Sequence, residues 1–149
     1  MNKRILIIED NEPKLNRIKK FCTDTWEDIV IECRSSYNSA LGEVIHHGNT
    51  YDIILLDVSM NTYDITGEES DREQEPLAGS NILRFMKLRK IYVPVIVVTM
   101  YESFVDGIKI DSLDEGFKDK YPEFYKGYVY YNLKNEDWMN NLNTLIESI

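Results

Sequence analysis

Residues 51–60 read YDIILLDVSM. Four consecutive apolar residues, Ile53 to Leu56, suit a strand buried on both faces, the habit of parallel sheets. The run then stops at a carboxylate, Asp57. Burying a carboxylate costs free energy unless something compensates it, so the end of this strand asks for a cation, a ligand or both.

Working outward, the same grammar recurs. RILIIED is a short apolar run, and NEPKLNRIKKFC follows it, with Pro13 suited to a first helical turn and Leu15, Ile18 and Phe21/Cys22 at helical spacing. DIVIECR reads as a second strand. SSYNSALGEVIHHGN places Ala40, Leu41, Val44 and Ile45 on one helical face, with Gly48 as the stop signal. After the opening stretch come a helix over NILRFMKLRKI, a fourth strand VPVIVVT, a fifth strand GYVYYNL, and a last amphipathic helix carrying Trp138, Leu142, Leu145, Ile146 and Ile149. Strands alternating with helices imply right-handed crossovers and an α/β, doubly wound parallel sheet in one domain spanning 1–149. Two stretches interrupt the rhythm: the polar, acidic residues 61–76, and the segment 102–126, longer than one crossover needs.

In such a sheet, ligands gather outside the carboxyl ends of the strands. Glu9 and Asp10 end the first strand, Asp57 the third and Thr99 the fourth, and Lys134 follows the fifth. Clustered carboxylates disfavour one another's ionisation unless a hard cation such as Mg²⁺ joins them. A lysine and a hydroxyl nearby could hold phosphoryl oxygens, which makes Asp57 intelligible as a nucleophile that becomes an acyl phosphate.

At this point the residues resemble the receiver domains of two-component response regulators. ILIIEDNE is similar to that family's first strand with its acidic pair, YDIILLDVSM to its phosphoacceptor strand, VPVIVVTM to the strand ending in the switch hydroxyl, and YYNLK to the fifth strand. SSYNSALGEVIHHGNTYDIILLD resembles the second helix and its lead into the phosphoacceptor, and AGSNILRFMKLR the third helix. The resemblance implies a flavodoxin-like sheet in the order 2-1-3-4-5, an order illustrated for a receiver protein in general accounts of doubly wound folds. It implies Asp57 as phosphoacceptor, and Mg²⁺ on Asp10 directly, on Glu9 through water, on Asp57 and on the backbone carbonyl of Ser59. Lys134 would pair with the phosphoryl group, Thr99 would swing toward it, and Tyr131 would move inward behind Thr99 to reshape the surface of the fourth helix, fifth strand and fifth helix.

Departures from the pattern are also legible. The loop after Asn61 is expanded and carries Asp64, Glu68, Glu69, Asp71, Glu73 and Glu75 against Arg72, with Gly79 taken as the displaced glycine of the family. Met100 stands where a small residue is usual, implying altered dephosphorylation, and Asn135 follows Lys134 in place of proline.

The composition narrows the function. A net charge of −9 is the wrong sign for holding nucleic acid directly, and no apolar stretch approaches the roughly 20 residues of a membrane span. The expectation is a cytoplasmic protein with two reduced cysteines, Cys22 and Cys33, and an exposed helix end at His46 and His47. The sequence ends after the fifth helix, so the preferred reading is a stand-alone receiver that is not an enzyme acting on external substrates. It would take phosphate from a histidine kinase or phosphotransfer protein and signal by contact with a downstream protein, with homodimerisation left open. The alternative is a phosphate-independent receiver-like binding module. A phosphohydrolase reading is weaker, because the residue two positions after Asp57 is Ser59. The aromatic cluster from Tyr121 to Tyr131 reads as core packing or as a docking patch.

Overall fold

The computed structural model describes residues 3–59, 78–100 and 109–149. The acidic insertion 61–76 and the start of the second insertion lie outside the described residues. Five parallel strands stand in the order β2-β1-β3-β4-β5: β1 Lys3–Ile8, β2 Ile29–Arg34, β3 Ile53–Leu56, β4 Val95–Thr99 and β5 Tyr125–Tyr130. The helices are α1 Glu12–Thr25, α2 Tyr37–His47, α3 Ala78–Arg89, α4 Ile110–Lys120 and α5 Asp137–Glu147. This is the flavodoxin-like order that the resemblance implies.

The continuous apolar runs are explained by the two faces. Along β3, Ile54 and Leu56 enter a core with Val44 of α2 and Leu83 of α3, while Ile53 and Leu55 enter a second core with Ile18 of α1 and Leu142 of α5. Because side chains alternate along a strand, every position of a sheet covered on both sides must be apolar. Fully burying each such Ile or Leu contributes roughly 1.5–3 kcal/mol.

Two glycines hold the outer parts of this frame. β5 begins earlier than the apolar pattern suggests, at Tyr125, and its pairing with β4 skips Lys126: Val95 faces Tyr125 and Ile96 faces Gly127. Gly127, at φ 134°, supplies the backbone freedom this bulge needs. Gly79, in the first turn of α3, donates its N–H to the Val58 carbonyl at 3.2 Å. A Cβ there would lie 2.5 Å from Val58 Cα and 3.0 Å from the Asp57 carbonyl oxygen. The helix is thus seated directly on the backbone that follows Asp57. Gly79→Ala is expected to destabilise the protein by about 1–3 kcal/mol in urea unfolding; an unchanged midpoint would mean that α3 does not sit there.

Gly48 does not stop α2 by the left-handed route. It stays right-handed at φ −54°, ψ −40°, and a Cβ would meet Ile91 Cγ2 at 3.0 Å, so close packing accounts for it. The aromatic cluster resolves mostly as core: Tyr121, Phe124, Tyr125 and Tyr131 are buried, while Tyr130 is exposed. His46 and His47 are exposed, and Cys22 is a buried free thiol that burial pushes up to about 12.

Candidate phosphoacceptor site

Parallel strands bring the ends of β1, β3 and β4 to one edge. There Glu9, Asp10, Asn11, Asp57, Ser59 and Met100 line, among the described residues, a polar cleft of about 290 Å³. Asp57 is aimed by its own turn: its N–H donates to the Ile8 carbonyl at 3.0 Å, and its Oδ1 accepts from the Ser59 N–H at 3.0 Å and the Ser59 hydroxyl at 2.7 Å. A short Asx turn of this kind needs an acceptor two residues before the donor, so Ser59 sets the orientation of the carboxylate.

Its other oxygen, Oδ2, faces a cation that the sequence reading passed over. Lys14 Nζ lies 3.5 Å from Asp57 Oδ2, 2.6 Å from Glu9 Oε1 and 2.7 Å from the Val98 carbonyl oxygen, to which it donates. Lys14 is 1% exposed and is the buried lysine of the described residues. Asn11 places it: this residue caps α1, its Oδ1 accepting the Lys14 N–H at 2.9 Å, while Glu9 Oε2 accepts the Asn11 N–H at 3.1 Å. The available signal was periodicity. Lys14, Ile18 and Cys22 are spaced four apart and form the buried face of α1, so extending the apolar stripe backwards by one turn reaches the lysine.

Lys134 is placed differently from the expectation. It is exposed, in the turn between β5 and α5, and forms no ion pair with any described carboxylate. The cause is local: Asn132 Oδ1 accepts the Lys134 N–H at 2.8 Å and Asn135 Oδ1 accepts the Asp137 N–H at 3.0 Å. These two side-chain turns lead the chain outward into α5.

Thr99 is fully buried at the end of β4, and its carbonyl accepts the Tyr131 N–H at 2.7 Å. Tyr131, expected to move inward on activation, is already inside. Its ring packs 5.0 Å from Trp138, and Lys14 Nζ and Arg17 Cζ each lie 5.9 Å from its centroid. Its hydroxyl is buried and has no hydrogen-bond partner among the described residues. Leaving such a group unsatisfied costs about 1–3 kcal/mol. Tyr131→Phe should therefore keep the melting temperature or raise it, and a clear fall would reveal a partner for the hydroxyl.

Electrostatically the cleft is over-supplied with acid. Burial first, and then the Asp57 charge, push the Glu9 carboxyl up to about 8 against the opposing pull of Lys14. Partial desolvation and then Asp57 raise Asp10 too, although its side chain still opens to solvent. One carboxylate oxygen from each of Glu9, Asp10 and Asp57 lies within 4.8 Å of the others. Ionised, three carboxylates against one ammonium leave two negative charges, the complement of one divalent cation. Hard oxygen donors of this type suit Mg²⁺.

No family model matches the chain. It is 29% identical over 143 residues to the Detocs response regulatory protein DtcB of Enterobacter cloacae, covering 93% of this chain and 95% of that one. Among solved structures, the phosphorylated cyanobacterial phytochrome response regulator RcpA superposes with a TM-score of 0.66 at 14% identity, covering 99% of this chain and 93% of that chain. A CheY-like response regulator receiver domain protein from Methanospirillum hungatei does so with a TM-score of 0.64 at 19% identity, covering 99% and 94%. The fold is that of response-regulator receiver domains, and the sequence likeness to a response regulatory protein runs over nearly the whole chain.

Proposed function

We propose that the chain accepts a phosphoryl group on Asp57 from a phosphohistidine donor, a histidine kinase or phosphotransfer protein, and passes the signal on by contact with another protein. The single observation that carries this reading is the Asp57 carboxylate itself. It is clamped through Oδ1 by Ser59, faced through Oδ2 by a buried ammonium, and open to a cleft with two further carboxylates.

Glu9, Asp10 and Asp57 would hold Mg²⁺, with the Ser59 carbonyl as the remaining protein ligand. When bound, the metal would supply charge neutralisation for the phosphoryl oxygens. The protein's own part is orientation and desolvation. Ser59 holds the nucleophile in one rotamer, the strand ends keep the carboxylates converged, and Met100 gives the cleft an apolar wall that limits access of water to an acyl phosphate. Thr99, buried at the end of β4, is the hydroxyl next to this cleft along the chain, and Tyr131 lies on the neighbouring strand end; we assign them the coupling from phosphate to surface. A cytoplasmic location fits a phosphohistidine donor, and no helix among the described residues is long and apolar enough to cross a membrane.

Incubation with Mg²⁺ and acetyl phosphate, followed by intact-mass measurement, tests the reading. A hydroxylamine-sensitive phosphoryl adduct that maps to Asp57 is expected. A folded, Mg²⁺-binding protein that gains no adduct from either acetyl phosphate or a phosphohistidine protein would favour the phosphate-independent module.

A further inference from the structure

We propose that Lys14, in the first turn of α1, is the cation that meets the incoming phosphoryl group at Asp57, in place of a lysine from the end of the fifth strand. The proposal rests on the phosphoacceptor reading above. Three observations converge on it.

The first is geometry. The Lys14 ammonium has three donors, and they face three different strand ends: Glu9 after β1, Asp57 after β3 and the Val98 carbonyl in β4. Of these partners, Asp57 is the most distant, at 3.5 Å against 2.6 and 2.7 Å. The ammonium is therefore held beside the nucleophile without being locked onto it.

The second is that local physics disfavours a lysine here. The first turn of a helix carries the positive end of the helix dipole and prefers acids, and burying an ammonium has a large desolvation cost. An apolar side chain would continue the stripe of Ile18 and Cys22 with neither penalty. Where a residue breaks local rules in this way, the site it serves is the natural explanation. Here that site is the row of carboxylates it faces.

The third is that the alternative cation points elsewhere. Lys134 is exposed, its turn is fixed by Asn132 and Asn135, and it has no carboxylate partner among the described residues.

In the transfer step, one carboxylate oxygen of Asp57 forms a new bond to phosphorus as the donor's P–N bond (phosphohistidine) or P–O bond (acyl phosphate) breaks. The bonding electron pair leaves with the donor. Lys14 remains protonated throughout and donates an N–H to a phosphoryl oxygen. The acyl phosphate carries more negative charge than the carboxylate it replaces, so the ammonium is drawn from Glu9 and Val98 toward Asp57. The same ammonium lies 5.9 Å from the centroid of the Tyr131 ring, which ties the phosphorylation state to the core that Tyr131 shares with α1 and α5.

The test compares wild type, Lys14→Met and Lys134→Ala, each with its fold verified by circular dichroism and its Mg²⁺ saturated. Methionine keeps the length of the stem and suits the apolar stripe. The initial rate of adduct formation with acetyl phosphate should fall about 100-fold in Lys14→Met, as for loss of one preorganised donor at a developing charge. It should stay within about twofold of wild type in Lys134→Ala, because an exposed charge contributes little.

Mg²⁺ affinity, measured by calorimetry without any phosphodonor, should move the opposite way. Lys14→Met should bind Mg²⁺ several-fold more tightly, since a competing cation has left the carboxylates. A merely structural role for Lys14 would weaken both.

If Lys14→Met keeps the wild-type rate, or Lys134→Ala shows the large loss, the proposal is overturned while the phosphoacceptor reading stands. If wild type itself forms no adduct from either acetyl phosphate or a phosphohistidine protein, both fall. Should Lys14→Met fail to fold, Lys134→Ala still decides: a retained rate supports Lys14 and a large loss refutes it.

Discussion

Asp57→Asn is expected to abolish the phosphoryl adduct completely while leaving the protein folded. The neutral amide cannot form an acyl phosphate, so the loss is of the reaction itself and not of a fraction of its rate. The fold should survive for reasons visible around the side chain. Ser59 can still donate to the amide oxygen in the place of Asp57 Oδ1. Lys14 keeps its two shortest contacts, to Glu9 and to the Val98 carbonyl, so the buried ammonium keeps hydrogen-bond partners. Asp57 is also one of the charges that raise Glu9, and its removal relieves that repulsion. Intact-mass spectrometry and a thermal melt on the same sample decide the matter. An adduct persisting in Asp57→Asn would place the phosphate on another residue, and a collapsed melting temperature would show that Asp57 is needed for stability.

The second large effect concerns the metal and its protons. Asp10→Asn should weaken Mg²⁺ binding by at least about tenfold, the scale on which even supporting residues of metal sites act, and calorimetric titration of both proteins measures it. Equal affinities would remove Asp10 from the site.

In the wild type the same titration should depend on pH. Glu9 lies at about 8 in the metal-free fold, above its unfolded value. From about pH 4.5 upward the unfolded chain ionises this group while the folded one retains the proton, so the folded state holds more protons and metal-free stability falls with rising pH up to about 8. Asp10 acts in the same direction. A bound dication reverses the penalty. Thermal stabilisation by Mg²⁺ should therefore grow across that window, and binding at neutral pH should release close to one proton. Buffers of different ionisation enthalpy reveal that proton. No release at pH 7 would mean that Glu9 is already ionised beside Lys14.

How much of this was readable from the chain differs by element. The strands and helices were legible because a sheet covered on both faces demands uninterrupted apolar runs such as Ile53 to Leu56, and those runs are local patterns. The start of β5 was not, because the bulge at Gly127 depends on pairing with β4, which no local pattern encodes. Glu9, Asp10 and Asp57 could be grouped in advance because parallel strands that end in acids must deliver them to one edge, and they meet in one cleft.

The sequence by itself therefore determined the β/α alternation, the strand ends that carry acid and the excess of negative charge that calls for a cation. Only the tertiary structure decided which cation of the chain answers it. Lys14 reads in sequence as an ordinary polar residue at a helix start, and Lys134 as the expected partner. The packing of α1 against the sheet turns Lys14 inward over the ends of β1, β3 and β4, while the asparagine turns after β5 carry Lys134 out to solvent. A strand's two-residue alternation is set by its own backbone. Where a long, flexible side chain delivers its charge is set by contacts between segments far apart in the chain, here as far as from residue 14 to residue 98.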